Sequence, residues 1–131
     1  MIGVDTNVLV RYVMQDDPAQ ARTATRFLGN LTSHEPGHIS AVVLAEMSWV
    51  LKSTYGATRA ELANAIENLL ATDALVVEHA DCAYRALAAL QTAGANFADS
   101  FVAAIDLKAG CAETVTFDKD AARRAGMRLL T

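Results

Sequence analysis

Short apolar segments alternate with helix-forming segments along the chain, and this alternation constrains the fold more than any other feature. Residues 1–4, 38–43, 74–78 and 113–117 have the pattern of strands, and residues 128–130 are a candidate fifth strand. Strands that are separated by helices imply right-handed crossovers. The sequence therefore predicts an α/β fold with a mainly parallel central sheet of about four to five short strands, flanked by helices on both faces.

Capping residues and glycines mark the ends of the predicted helices. The first helix follows Asp5 over residues 6–14, and the second begins at Asp17 and Pro18 and runs to about Leu28. The other predicted boundaries are a third helix that stops at Gly56, a capping box of Thr58 and Glu61, a helix from Asp81 to Gly94, a helix from Asn96 to Gly110, and a short helix over residues 119–125.

Composition indicates one globular domain over residues 1–131. A hydrophobic fraction of 53% and a charged fraction of 20% exclude a disordered chain. The formal net charge is -4, so no overall positive field attracts nucleic acid or anionic lipid. A polyanionic partner would have to be bound by a local site.

The sequence also lacks the patterns of disulfide-rich and membrane proteins. Cys82 and Cys111 lie far apart, so we expect neither a disulfide framework nor a zinc site. The same cysteine usage indicates a reducing compartment. The longest uncharged stretch, residues 86–98, is shorter than the roughly 18 apolar residues of a membrane span. Asp5 interrupts the N-terminal apolar run, unlike a secretory signal. We expect a cytoplasmic protein with no membrane segment.

Glu46 is the acidic residue whose neighbours are least typical of a solvated helix face. Its lateral neighbours on the predicted helix are all apolar: Val42, Val43, Trp49 and Val50. Glutamate is rarely buried unless it is paired or bound to a cation. The pattern therefore favours an Arg or Lys partner or a metal ion, and a glutamate at the rim of the core is the alternative.

Three aspartates lie where a cap and a metal ligand are both plausible roles. Asp5 and Asp118 each follow a predicted strand, and Asp99 lies in the first turn of a predicted helix. The carboxyl ends of parallel strands meet at one edge of a sheet, where we expect these aspartates and Glu46 to share a crevice. Clustered carboxylates repel one another unless a cation neutralises them. Ligands that offer only oxygen suit Mg²⁺ or Mn²⁺, which indicates metal-assisted phosphoryl transfer or hydrolysis.

The segments that carry these acids are VDTNVLVRY, ISAVVLAEMSWVL, NFADSFVAAI and VTFDKDAARRAG. In order and spacing they resemble the four acidic motifs of the PIN-domain ribonucleases, especially the VapC-like toxins of prokaryotic type II toxin–antitoxin systems. The resemblance spans essentially the whole chain. It implies an endoribonuclease dependent on Mg²⁺ or Mn²⁺, in which Asp5 and Asp99 hold the metal and Glu46 and Asp118 match the other two acidic positions.

The same resemblance implies supporting residues and partners. Thr6, Asn7 and Thr116 match polar positions beside the acids and would orient them. The expected products carry 5′-phosphates, and the expected partners are RNA, a second copy of the chain and a small antitoxin. Apolar stripes on residues 18–28 and 41–55 would either receive a partner helix or be covered by the core.

Two other functions compete with this interpretation. Asp5 ends the first strand, as the nucleophile of an aspartate-dependent phosphohydrolase would, although Asn7 stands where a dehalogenase-like motif has its second aspartate. A catalytically inactive interaction module of the same fold is the other alternative.

The remaining polar and aromatic residues have simpler predicted roles. We expect His34, His38 and His79 at the surface rather than as an acid–base pair, and Cys82 and Cys111 as small core residues. Trp49 is predicted in the core or an interface. Solvated structural roles are expected for Asp106 and Asp120, and a solvated helix face, or contact with an RNA backbone, for the basic residues Lys119, Arg123, Arg124 and Arg128.

Overall fold

The computed structural model describes residues 1–131 and contains five short strands and seven helices. In chain order they are β1 (Ile2–Gly3), α1 (Thr6–Met14), α2 (Pro18–Gly29), β2 (Gly37–Ile39), α3 (Ala41–Ser53), α4 (Arg59–Leu70), β3 (Leu75–Val77), α5 (Ala80–Ala93), α6 (Phe97–Lys108), β4 (Val115–Thr116), α7 (Lys119–Arg124) and β5 (Arg128–Leu129).

Every strand pair is parallel, which confirms the predicted α/β class. The hydrogen-bonded strands form two sheets, one with the order β1-β2-β3 and one that pairs β4 with β5. Ile2 lies opposite Gly37 in the first sheet, and Val115 lies opposite Arg128 in the second. The five predicted strands are therefore present, but they are divided between a sheet of three and a sheet of two.

Side-chain caps set several boundaries where the sequence predicts them. Asp17 Oδ1 accepts a hydrogen bond from Gln20 N at the start of α2, and Thr58 and Glu61 form a reciprocal capping box on α4. Each such cap satisfies amides that the first helical turn leaves unpaired.

Two predicted boundaries are wrong, and local hydrogen bonding explains the first. The strand predicted over residues 38–43 ends at Ile39, because Ser40 Oγ accepts a hydrogen bond from Val43 N and starts α3. The fifth helix starts at Ala80 rather than with Asp81 as its cap, and its N-cap is His79 in a left-handed conformation with φ 54°.

The core lies where α1, α3, α4, α5 and α6 meet the three-stranded sheet. Its largest fully buried side chains are Phe97, Phe101, Leu9, Ile39, Leu44, Met47, Leu51 and Ile66. The rings of Phe97 and Phe101 lie 5.4 Å apart between centroids. Burial of each such side chain contributes about 1.5–3 kcal/mol. None of the helices combines the length and hydrophobicity that crossing a membrane requires.

The two apolar stripes have different outcomes. On α2, Ala21 and Ala24 are buried, and Phe27 and Leu28 are half-buried against the core, so the fold covers much of that stripe. On α3, Leu44 and Met47 are buried, but Trp49 is 63% exposed. Of the two placements expected for Trp49, core or interface, the core is wrong, because this residue lies on the outer face of a helix whose inner face already fills the core.

Candidate active site

The first acidic residue, Asp5, occupies the turn between β1 and α1. Its Oδ1 accepts a hydrogen bond of 2.8 Å from Thr6 N, so Asp5 is the N-cap of α1. The cap uses one carboxylate oxygen, and the side chain is exposed. Asp5 therefore has an oxygen free for a second role.

Asp5 and Glu46 line the same cavity, of about 310 Å³, between α1 and α3. Thr6 and Asn7 also line it. Thr6 is only 6% exposed, and its buried hydroxyl has no hydrogen-bond partner. Buried polar atoms are normally paired, so this orphaned oxygen marks a place where a ligand or ordered water would be stabilised.

Arg11 is the cation in the wall of this cavity, but it is already neutralised. Its Nη1 lies 3.1 Å from Asp16 Oδ1 and donates to the Tyr55 hydroxyl at 3.2 Å. Arg11 thus leaves the carboxylates of Asp5 and Glu46 without a basic partner.

Glu46 itself is exposed, which corrects the expectation of burial based on its neighbours. It takes part in no ion pair, so the predicted Arg or Lys partner is also absent. Val42 and Trp49, two of its apolar neighbours, are 76% and 63% exposed. The apolar surroundings of Glu46 therefore belong to a surface rather than to the core.

Asp99 lies in the first turn of α6 and is the most buried of the four acids. Its backbone N–H donates to Asn96 Oδ1 at 3.0 Å, which confirms the predicted helix start, and its carboxylate accepts no hydrogen bond. Burial raises the pKa of this carboxyl, the charges of Asp118 and Asp120 raise it further, and Lys52 partly opposes them. The positive charge near Asp99 is thus too small to balance the carboxylates around it.

Asp118 is the N-cap of α7 and accepts hydrogen bonds from Asp120 N at 2.8 Å and Ala121 N at 3.1 Å. Both bonds use Oδ1, so its second oxygen is free. The N–H of Asp118 donates to Thr116 Oγ1 at 3.0 Å, and this bond fixes the turn after β4.

Asp120 also belongs to the surroundings of Asp99, which the sequence interpretation missed. It pairs with Arg123 at 3.2 Å and Arg124 at 3.1 Å, and its charge raises the pKa of Asp99. Its position two residues after Asp118, in the same helical turn, was the available signal.

The four predicted acids come together as two pairs. Asp5 and Glu46 share a cavity, and Asp99 and Asp118 interact electrostatically. No three of the four have ligand atoms within 4.8 Å of one another. The sequence predicts Asp5 and Asp118 at the same edge of one sheet. Because β1 and β4 belong to different sheets, this expectation does not by itself bring the two residues together.

Comparison of the sequence with models of known protein families identifies the family of the chain. The family model of the PIN domain matches residues 2–127. The chain belongs to the PIN domain family. Members of this family are generally metal-dependent nucleases. No curated protein was found to match the chain.

This PIN domain contains one compact group of candidate metal ligands, and none of the four predicted acids belongs to it. His79, Asp81 and Cys82 have ligand atoms that all lie within 4.8 Å of one another. Lys108 Nζ lies 3.2 Å from His79 Nδ1 and 3.1 Å from Asp81 Oδ1, so an ammonium group already neutralises the cluster. Burial raises the pKa of Cys82, which keeps its sulfur a thiol and a poor ligand. We call this group the Lys108 cluster.

The remaining predictions about single residues divide. Cys82 is buried as expected, whereas Cys111 is exposed, because it lies beyond the end of α6. His34 is exposed, and His38 and His79 are half-buried. Asp106 accepts a hydrogen bond of 2.7 Å from Thr114 Oγ1, which is a structural role.

Proposed function

We propose that this PIN domain is an endoribonuclease dependent on Mg²⁺ or Mn²⁺, with Asp5, Glu46, Asp99 and Asp118 as its active site and Asp5 and Asp99 as the metal ligands. One observation carries the proposal. The half-buried carboxylate of Asp99 has no hydrogen-bond donor, and burial and two neighbouring aspartates raise its pKa. A bound cation relieves both conditions.

The donor set fits a hard divalent cation. Each of the acids offers oxygen only, and Asp5 and Asp118 each retain a carboxylate oxygen that no cap uses. Mg²⁺ is usually held by one or two carboxylates and keeps several waters. Two separate pairs of carboxylates suit this mixed coordination by carboxylates and waters better than a closed cage of protein ligands does.

The chain's own groups then have distinct tasks. A divalent ion held by Asp5 and Asp99 would supply an activated water and would offset the charge of the phosphodiester. Glu46 is exposed and unpaired in the cavity that it shares with Asp5, so it can accept the proton that the attacking water loses. The two amides of α7 hold Asp118 in one orientation, and Thr116 fixes the turn that presents it. Thr6 and Asn7 line the cavity and orient the Asp5 side of the site.

We further propose that the protein acts as the toxin of a toxin–antitoxin pair and forms a homodimer. The exposed apolar residues Val42 and Trp49 support this proposal, because they flank Glu46 on α3. An antitoxin helix that covers these two side chains would also close access to Glu46. A basic side chain from that partner would neutralise the acids in place of the metal.

Cleavage of a mixed RNA pool tests the nuclease proposal. We expect cleavage in Mg²⁺ or Mn²⁺, none in EDTA, and none by the Asp5→Asn variant. Asp17→Asn is the matched control, because Asp17 is also an N-cap aspartate and lies outside the cavity of Asp5 and Glu46. Cleavage that persists in EDTA, or equal loss in both variants, would contradict the proposal. Trapping of a phosphoaspartate on Asp5 would favour the phosphohydrolase instead.

Co-expression tests the proposed partner. The toxin role predicts growth arrest by the protein alone and relief by a small protein encoded beside it. Light scattering should give the mass of a dimer. A monomer that causes no growth arrest would remove the toxin role and leave the nuclease proposal standing.

A further inference from the structure

A second cavity, of about 260 Å³, lies behind the Asp99 and Asp118 pair. It is enclosed by α5, α6 and the segment around β4 and the end of α7, and Ser100, Arg85 and Arg124 are among its lining residues. Ser100 follows Asp99 on α6, and Arg124 ends the helix that Asp118 caps. The cavity is thus built from the two elements that carry this pair of acids, and it shares no lining residue with the cavity of Asp5 and Glu46.

Two arginines line this cavity, Arg85 and Arg124, and a third, Arg59, approaches Arg124 from outside the lining. Arg85 takes part in no ion pair. Arg59, at the start of α4, takes part in none either, and it does not line the cavity. Gly94 shows how closely Arg59 approaches Arg124: a Cβ at this position would lie 2.6 Å from Arg59 Nη2 and 3.0 Å from Arg124 Nη1. Two guanidinium groups therefore converge at the C-terminus of α5, where Arg124 donates to Ala93 O at 3.5 Å and is paired with Asp120. The positive charge of Arg59 beside them has no counter-ion and favours an anion nearby.

A buried hydroxyl provides an independent observation. Ser100 is 7% exposed, and its Oγ is buried without any hydrogen-bond partner. A buried hydroxyl without a partner is unfavourable unless a ligand or water satisfies it. Because Ser100 lines the same cavity as Arg85 and Arg124, a ligand bound there could accept its hydrogen.

The acids beside the cavity neutralise Arg124 but neither Arg59 nor Arg85. Glu113 lines the cavity, but it binds Arg128 through both oxygens, at 2.9 and 2.8 Å. Asp120 pairs with Arg124 and with Arg123. Arg59 and Arg85 remain without a counter-ion.

We propose that Arg59, Arg85, Arg124 and Ser100 bind a phosphate group. A guanidinium group matches phosphate oxygens with paired donors, and the cavity is several times larger than the roughly 30 Å³ that one water occupies. As a site for the backbone of RNA, it would position the strand beside Asp99 and Asp118, and in this form the proposal rests on the proposed ribonuclease function. Free phosphate is the other source of the same chemistry.

Binding measured in EDTA tests the site without any cleavage. The probes are a labelled single-stranded RNA of about ten nucleotides, followed by fluorescence anisotropy, and inorganic phosphate, followed by the amide shifts of Ser100 and Gly126. The variant Arg59→Ala/Arg85→Ala should bind RNA at least tenfold more weakly, with a shallower dependence on salt. The control Arg22→Ala/Arg26→Ala makes the same charge change on α2, where neither arginine takes part in an ion pair, and should change affinity less than twofold.

The two probes distinguish RNA from free phosphate as the ligand, and they separate the phosphate site from the proposed ribonuclease function. Displacement of RNA by inorganic phosphate, with shifts at Ser100, supports a site for the RNA backbone, and shifts at Ser100 without RNA binding support a site for free phosphate. Equal effects of the two double variants, or no shift at Ser100 with either probe, overturn the site. RNA that binds here in EDTA but is not cleaved in Mg²⁺ overturns the ribonuclease function and leaves the phosphate site standing.

Discussion

Two regions of the molecule gather potential metal ligands, and they differ in charge balance. In the Lys108 cluster, the ammonium group lies against His79 and Asp81, and its hydrogen bond is the main cause of a lowered pKa of Asp81. At Asp99 the opposite holds, because burial and two neighbouring carboxylates raise the pKa. The first region is compact and neutralised, whereas in the second Lys52 only partly offsets the carboxylates around Asp99.

This difference is the reason that we propose the metal at the acids that lack positive charge and not at the group whose ligand atoms lie closest together. A compact group that already holds an ammonium gains little from a metal, since the metal must displace the lysine. A carboxylate that the fold destabilises gains from any cation that reaches it. Our proposal therefore predicts metal dependence at the acids of the candidate active site and not at the Lys108 cluster.

The largest expected effect is on catalysis. Asp99→Asn should lower metal-dependent RNA cleavage more than about 100-fold, since replacement of groups that merely support metal ligands already has effects of 10–100-fold. Asp81→Asn keeps the oxygen that accepts from Cys82 N and should leave cleavage within about twofold of wild type. Initial rates at saturating Mg²⁺ measure both. Equal losses would mean that the two regions do not differ in function.

A smaller effect is expected on stability in the presence of metal. Mg²⁺ at a hundred times its dissociation constant should stabilise the wild-type fold by about 2.7 kcal/mol, because it binds the folded state only. The gain should be absent in Asp99→Asn and retained in Asp81→Asn. Thermal unfolding with and without Mg²⁺ checks this, and a gain that follows Asp81 instead would place the metal in the Lys108 cluster.

Much of the fold is predictable from local sequence, because local hydrogen bonds determine it. Asp17, Thr58 and Asn96 cap the helices at the predicted positions, and the parallel pairing follows from the alternation of strands and helices. The division into two sheets is not predictable in this way. Strands of two or three residues carry too little pattern to specify their neighbours.

The candidate site is predictable only in part. The motifs place the four acids, but the environment of each depends on tertiary packing. Glu46 has apolar neighbours and is nevertheless exposed, because its helix already buries the opposite face. The Lys108 cluster depends on Lys108 from α6 reaching the start of α5, a contact between residues 29 positions apart that no short motif encodes.

The capping role of Asp118 can be separated from its charge. Asp118→Ala removes the acceptor for two amides of α7 and should destabilise the fold by about 1 kcal/mol. Asp118→Asn keeps an acceptor, removes the charge beside Asp99, and should lie within a few tenths of a kcal/mol of wild type or above it. Denaturant unfolding in EDTA compares the two. A loss in Asp118→Asn as large as that in Asp118→Ala would show that the charge itself stabilises the fold.

The smallest expected effect is a dependence on pH at Asp99. Because its pKa is raised in the folded state, Asp99 favours folding while it is protonated and loses that contribution as the pH rises above the ordinary Asp value of about 3.9. In EDTA, Asp99→Asn should therefore match the Tm of wild type near pH 3 and exceed it near pH 7. A variant that is less stable at neutral pH would contradict the sign.

Paramagnetic broadening by Mn²⁺ tests the central claim most directly, since it reports where the metal binds without requiring catalysis. Substoichiometric Mn²⁺ is added to ¹⁵N-labelled protein, and the loss of each amide signal is followed. The account predicts that Thr6, Ser100 and Lys119, which follow Asp5, Asp99 and Asp118, broaden first and that Asp99→Asn abolishes the effect. Broadening centred on Ala80 and Ala83, beside the Lys108 cluster, would contradict it.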